Sequence, residues 1–291
     1  MKGRVLVALR RYQAVVFVAV LLGWAGLIMA PNAWARTVNV NALAHVAYLG
    51  TTSSGLQWAG TVNDPALGNG GLEATFGRSG GGYRGSATIV NPFGSLTAAV
   101  QVTVRLEGHL VRFGITADLT GATGRFAGAR GTLTGSALVT ATAPVGTLRL
   151  HGTLHGASGR APAALGGAGV RHVDGHFLGV ELSLARSGVE TVVGTVTGLV
   201  PGPAVMVAQE RATTTSSHGT LKVFAAGGTL TGVFDVRFPG GSRVRVETGT
   251  YTFTRGSGDL SGVHTTPLMV RGTRDLTLQR ISTHMKGTLT R

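Results

Sequence analysis

The chain has 291 residues, 47 of them glycine, no cysteine, and a formal net charge of +14. Without cysteine there are no disulfides, thiolate metal sites, cysteine nucleophiles or lipid-modified N-terminal cysteine, so stability rests on burial. The positive charge is spread along the chain rather than clustered, which describes an evenly basic surface able to meet anionic polymers.

At the amino end, Lys2, Arg4, Arg10 and Arg11 precede an uncharged run from Ala14 to Ala30, followed by Pro31, Asn32, Ala33, Trp34 and Ala35. A basic head, an apolar stretch and small residues at Ala33 and Ala35 predict a signal helix over 1–35, cleaved before Arg36. The protein is therefore expected to be secreted or held in the cell envelope by the general export route. Its apolar run is shorter than the roughly 20 residues of a spanning helix, so membrane contact is expected only where the leader stays uncleaved. Loss of the leader's four basic residues leaves a net charge of +10.

The remainder is an internal duplication. Gly60, Thr61 and Val62 recur as Gly194, Thr195 and Val196, 134 positions later. Gly85, Gly94, Leu96, Thr97 and Val102 recur as Gly219, Gly228, Leu230, Thr231 and Val236 at the same offset. One inserted residue then aligns Gly152, Thr153 and Leu154 with Gly287, Thr288 and Leu289. The predicted domains are a first repeat at 37–156, a linker at 157–171 rich in Ala, Gly, Ser and Pro, and a second repeat at 172–291.

Within each copy apolar residues alternate with polar ones, the period of a half-buried strand. In copy one, Val100, Val102, Val104 and Leu106 face Gln101, Thr103, Arg105 and Glu107 across the strand, and Val111, Phe113, Ile115, Ala117 and Leu119 follow on the next. Copy two offers Leu230, Phe234, Val236 and Phe238, then Val244 and Val246 as the apolar face against Arg243, Arg245 and Glu247. Eight strands are predicted in copy one, near 38–49, 55–63, 71–77, 83–90, 95–107, 110–119, 130–142 and 146–155. The glycine-rich run from Gly77 to Gly85 is expected to be a mobile hairpin loop rather than an anion cradle, because no helix follows it. The expected class is all-β, two tandem antiparallel eight-stranded barrels; a single sheet shared by both copies is the alternative.

The segment Gly121, Ala122, Thr123, Gly124, Arg125, Phe126, Ala127, Gly128, Ala129, Arg130, Gly131 resembles the G-G-T-G-x-F-x-x-A-R-G signature of dirigent proteins and the related stretch of allene oxide cyclases. The resemblance implies an eight-stranded barrel in which Gly121, Gly124, Phe126, Gly128, Arg130 and Gly131 are structural. It also implies lumen chemistry of the cyclase or radical-coupling kind. Ala122 stands where a second glycine is usual, and copy two keeps Gly258 and Gly262 with Leu260 in place of the phenylalanine.

Groups able to do chemistry are sparse. His151 and His155 close copy one, and His172, Asp174 and His176 open copy two; joined across the linker they would offer divalent-metal ligands. His151 and His155 alternate with Leu148, Leu150 and Leu154, which turns them to solvent, so no metal and no cofactor is expected. Asp118 and Asp235 are expected on outer faces or strand ends. No aromatic and arginine platform for nucleic acid is present, since Trp58 is the sole tryptophan beyond the leader. The expected function is binding without catalysis, of a small apolar ligand or an anionic envelope polymer. A cyclase or isomerase acting in the first lumen, and a structural envelope protein, are the alternatives; inward Arg, Tyr, Asp or His would favour catalysis.

Overall fold

The structure is a computed structural model that describes residues 36–108, 110–140, 145–158, 169–183, 188–239 and 242–291. The expected signal helix at 1–35 and positions 159–168 of the expected linker lie outside those residues.

Alternation becomes two closed barrels. The first is built from β1 (Arg36–Thr52), β2 (Gly55–Asn63), β3 (Gly70–Ser79), β4 (Gly82–Asn91), β5 (Gly94–Glu107), β6 (Leu110–Ala122), β7 (Arg130–Thr140) and β8 (Val145–Ala157). Each strand pairs antiparallel with the next, and β8 returns to β1 with Leu148 opposite Ala44. The second contains β9 (Val170–Ser183), β10 (Glu190–Thr197), β11 (Ala204–Ala212), β12 (Ser216–Ala225), β13 (Gly228–Arg237), β14 (Val244–Gly258), β15 (His264–Thr265), β16 (Leu268–Asp275) and β17 (Arg280–Thr290). β15 and β16 both bond β17 and act as one strand interrupted at Pro267, whose ring nitrogen has no proton to give a ladder. β17 then pairs with β9 and closes the ring. Full closure leaves neither barrel an open edge.

The Gly77 to Gly85 run is mostly strand, contrary to the loop expected there: β3 continues to Ser79 and β4 starts at Gly82, leaving Gly80 and Gly81 as the turn. Glycine is needed within this run because β4 lies close on β3; a side chain at Gly85 would place its Cβ 1.8 Å from the Thr75 carbonyl oxygen.

The glycine-phenylalanine segment is the one helical element among the described residues, a 3-10 turn at Gly124–Phe126 joining β6 to β7. Gly124 has φ +58, a left-handed value that a side chain disfavours, and its counterpart Gly258 has φ +60. Both copies tie this corner with the same bonds: Phe126 N–H to Thr123 O and Ala129 N–H to Phe126 O, matched by Leu260 N–H to Ser257 O and Val263 N–H to Leu260 O. The hydroxyl pair Ser95 and Thr123 at 2.8 Å becomes Thr229 and Ser257 at 2.6 Å. Duplication thus holds at the level of single hydrogen bonds. Arg130 is exposed and pairs with His155 in the ladder, while Phe126 and Leu260 each plug the end of their barrel nearest this corner.

The barrels pack against each other through the outer faces of their first four strands. Ala47, Leu49, Ala59 and Val90 meet Val180, Val193, Val205 and Phe224 in a shared apolar layer. By the repeat offset Ala59 corresponds to Val193 and Val90 to Phe224, so the same surface patch is used twice. Arg36 to Arg291 accordingly lie in one compact unit.

Candidate functional site

Both lumens are apolar at the plugged end and differ at the opposite end, where the strand hairpins turn. In the first barrel Val46, Leu72, Val100, Ala117, Leu148 and Leu150 line a cavity of about 160 Å³. Leu56, Trp58, Phe76, Tyr83, Phe113 and Val139 complete it toward the hairpin end. The Trp58 ring sits 6.2 Å from Phe113 edge-on and 5.5 Å from Tyr48. No Arg, Lys, His, Asp or Glu is among the lining residues. A water entering this cavity would find few polar partners on its walls.

In the second barrel the same positions are charged. Offset by one repeat, Leu56 becomes Glu190, Phe76 becomes Glu210, Phe113 becomes Glu247 and Val139 becomes Arg274. The strand registers agree, since Leu56 pairs with Phe76 and Glu190 with Glu210. The Arg274 guanidinium donates through Nη1 and Nη2 to both oxygens of Glu210 at 2.6 and 2.7 Å, and through Nη1 to Glu181 at 3.2 Å. Its Nε stands 3.6 Å from Glu247 Oε2, too far for a hydrogen bond, and both atoms are buried without a hydrogen-bond partner. Ser217 donates to Glu210 at 2.7 Å and Thr283 to Glu247 at 2.6 Å. The Phe238 ring covers the guanidinium at 5.7 Å.

One buried cation therefore faces three buried carboxylates, with Glu190 beside them. In a low dielectric that excess of negative charge is costly, and the site responds by holding protons. Burial pushes the Glu181 carboxyl up to about 6 against the attraction of Arg274, and burial likewise raises Glu247 and Glu190. Burial is the largest single influence on Arg274 and opposes its charge, but the bond to Glu210 and the attraction of Glu210, Glu247 and Glu181 together outweigh it, so the guanidinium is held charged. The phenol of Tyr251 in the same lumen is raised by burial.

A pH dependence follows with a definite sign. Between the usual carboxylate value of 4.5 and about 6, the folded protein holds a proton on Glu181 that the unfolded chain has released. The contribution of Glu181 to stability is therefore greatest below pH 4.5 and is lost as pH rises through 6, by on the order of 1–2 kcal/mol. Urea unfolding of the parent and of Glu181→Gln at pH 4.5, 5.5 and 7 checks this. The decline should be shallower in the variant; equal declines would place the proton elsewhere.

Sequence reasoning turned Val244 and Val246 inward and Glu247 outward, and the structure reverses this. Val244 and Val246 are 53% and 46% exposed, and Glu247 is 1% exposed. The strand is in the opposite phase because Tyr251 and Phe253 further along must face the core. Glu181, Glu210 and Arg274 were missed altogether.

The candidate metal ligands part company. His151 and His155 are exposed on β8, hydrogen-bonded to Thr134 and Thr37. His172, Asp174 and His176 are exposed on the outer face of β9, where Asp174 and His176 gather with His284 of β17. Asp118 and Asp235 are exposed on outer faces as expected, Asp118 accepting a bond from Thr132 at 2.6 Å. The chain matches no family model, no curated protein and no solved structure.

Proposed function

We propose that this is an exported, non-enzymatic binding protein whose first barrel takes a small apolar molecule into its lumen. The observation that carries the reading is the cavity of about 160 Å³ bounded by aliphatic and aromatic side chains alone. An engineered apolar cavity of about 150 Å³ is enough to hold benzene, so the guest is a ring-sized hydrocarbon or the end of a longer apolar chain. Burying about 200 Å² of such a guest at about 25 cal/mol per Å² contributes about 5 kcal/mol before association costs are subtracted, so a guest of this size binds weakly and a longer apolar chain binds more tightly.

Catalysis in this lumen, the alternative that the dirigent and cyclase resemblance implies, has little to work with: Tyr83 is the single lining residue with a titratable proton. An anionic partner is supported separately by Arg78, Arg84 and Arg105, all exposed near the hairpin end of the same barrel. A ligand combining an apolar body with an acidic end would meet both features.

Trp58 lines the cavity and is the sole indole beyond residue 35, so its emission reports occupancy directly. Titration with naphthalene- or alkyl-sized probes should shift Trp58 fluorescence saturably, and native mass spectrometry of the secreted protein should show a retained small molecule. Ala137→Leu, which fills the lumen, should weaken binding at least tenfold while the protein stays folded. Saturable binding that Ala137→Leu leaves intact would move the site away from this lumen.

A further inference from the structure

We propose that Asp174, His176 and His284 form a site for a divalent transition metal, zinc or copper(II), on the outer face of the second barrel. His176 and His284 are directly opposite each other on paired strands β9 and β17, and their rings stack 4.3 Å apart at 7°. Asp174 lies two residues along β9, hence on the same face, and its carboxylate accepts a hydrogen bond from His284 Nε2. One ligand atom from each of the three lies within 4.8 Å of the others.

Tetrahedral zinc with bonds of about 2.0–2.2 Å separates its ligands by about 3.4 Å. The three side chains must therefore converge by up to about 1.4 Å, and the stacked imidazoles must tilt toward one another, a rotamer adjustment open to surface groups on a rigid ladder. Two imidazoles and one carboxylate suit zinc and copper better than calcium or magnesium, which take oxygen ligands. The outward position is left to water or to an external donor; His172, two residues before Asp174 on the same face, is the nearest such group along β9.

Cations stand nearby on the same outer surface. Lys286 is opposite Asp174 on β17, and Arg271 is opposite His284 on β16. Both are exposed and free to turn toward solvent, so their repulsion weakens the site without blocking it. Where metal takes His284 Nε2, the imidazole carries its proton on Nδ1 and the hydrogen bond to Asp174 gives way to ligation; protons compete with metal for the ligands, so binding weakens on acidification.

Isothermal calorimetry of the whole protein with zinc and with copper(II) at pH 7.5 tests the site. One equivalent should bind with a dissociation constant on the order of 10 µM. His284→Ala and Asp174→Ala should each weaken it at least tenfold, His151→Ala and His155→Ala should not, and binding should fade at pH 5.5. The copper complex should show hyperfine coupling to two nitrogens in its electron paramagnetic resonance spectrum, reduced to one in His284→Ala. All three ligands are on the barrel surface, so unchanged urea midpoints will separate lost ligation from lost folding. Absence of stoichiometric binding, or binding that survives His284→Ala, overturns the proposal.

Discussion

Arg274→Ala should destabilise the protein by about 3–5 kcal/mol, read as a lowered urea midpoint, because it strips the one cation from three carboxylates in the second lumen. The loss is large for a specific reason. Water cannot take over for the missing guanidinium, since Glu210 and Glu247 are each 1% exposed and closed in by the barrel wall. The first barrel supplies the contrasting experiment, having Leu56, Phe76, Phe113 and Val139 at the corresponding positions. Transplanting them as Glu190→Leu, Glu210→Phe, Glu247→Phe and Arg274→Val together should bring stability back to within about 1–2 kcal/mol of the parent, because the apolar set has no desolvation cost to offset and Glu181, left without its cation, is kept in its neutral form by burial. A single variant that loses under 1 kcal/mol would show the cluster to be solvated. A fourfold variant as weak as the single one would show that the charges hold this barrel shut. Recovery would mean that the charges serve something other than folding.

Fold was legible because it rests on a repeated pattern. Alternation along Val100, Val102 and Phe113, together with glycines recurring at a fixed offset, identified strands, turns and duplication without any long-range information. The charged lumen was hidden by the same habit of reading. Glu247 alternates with Val244 and Val246, and hydrophobicity alone puts the valines inside. Yet Phe113 had been placed on the buried face, and Glu247 is its repeat counterpart, so carrying the phase of copy one across the offset would have turned the glutamate inward. Arg274 follows by the same route from Val139. His284 is a different case: it is 110 residues from Asp174, and only the closure of β17 onto β9, with its register, makes them neighbours. No local pattern encodes that register.

Phe126→Ala should cost about 3–5 kcal/mol, with Leu260→Ala somewhat less at about 2–5 kcal/mol, since each removes the plug from one barrel end. Phe126 is 1% exposed and belongs to the first barrel's core with Leu67, Leu96 and Ala129, so the space it leaves is too confined to collapse at no cost. Phe126→Leu imports the residue of copy two and should cost about 1 kcal/mol, because the same corner already accepts leucine at 260. The pair of readouts distinguishes a plug from a ligand contact. Phe126 is not among the residues lining the cavity, so the affinity of Phe126→Ala for an apolar probe should match the parent's at temperatures where both are folded. Ala137→Leu should show the reverse, with stability kept and affinity lost. A Phe126→Ala protein that stays as stable as the parent would mean that the barrel end is closed by its backbone corner and the glycines that shape it. Weaker probe binding by a folded Phe126→Ala would instead extend the lumen down to the plug and enlarge the guest it takes.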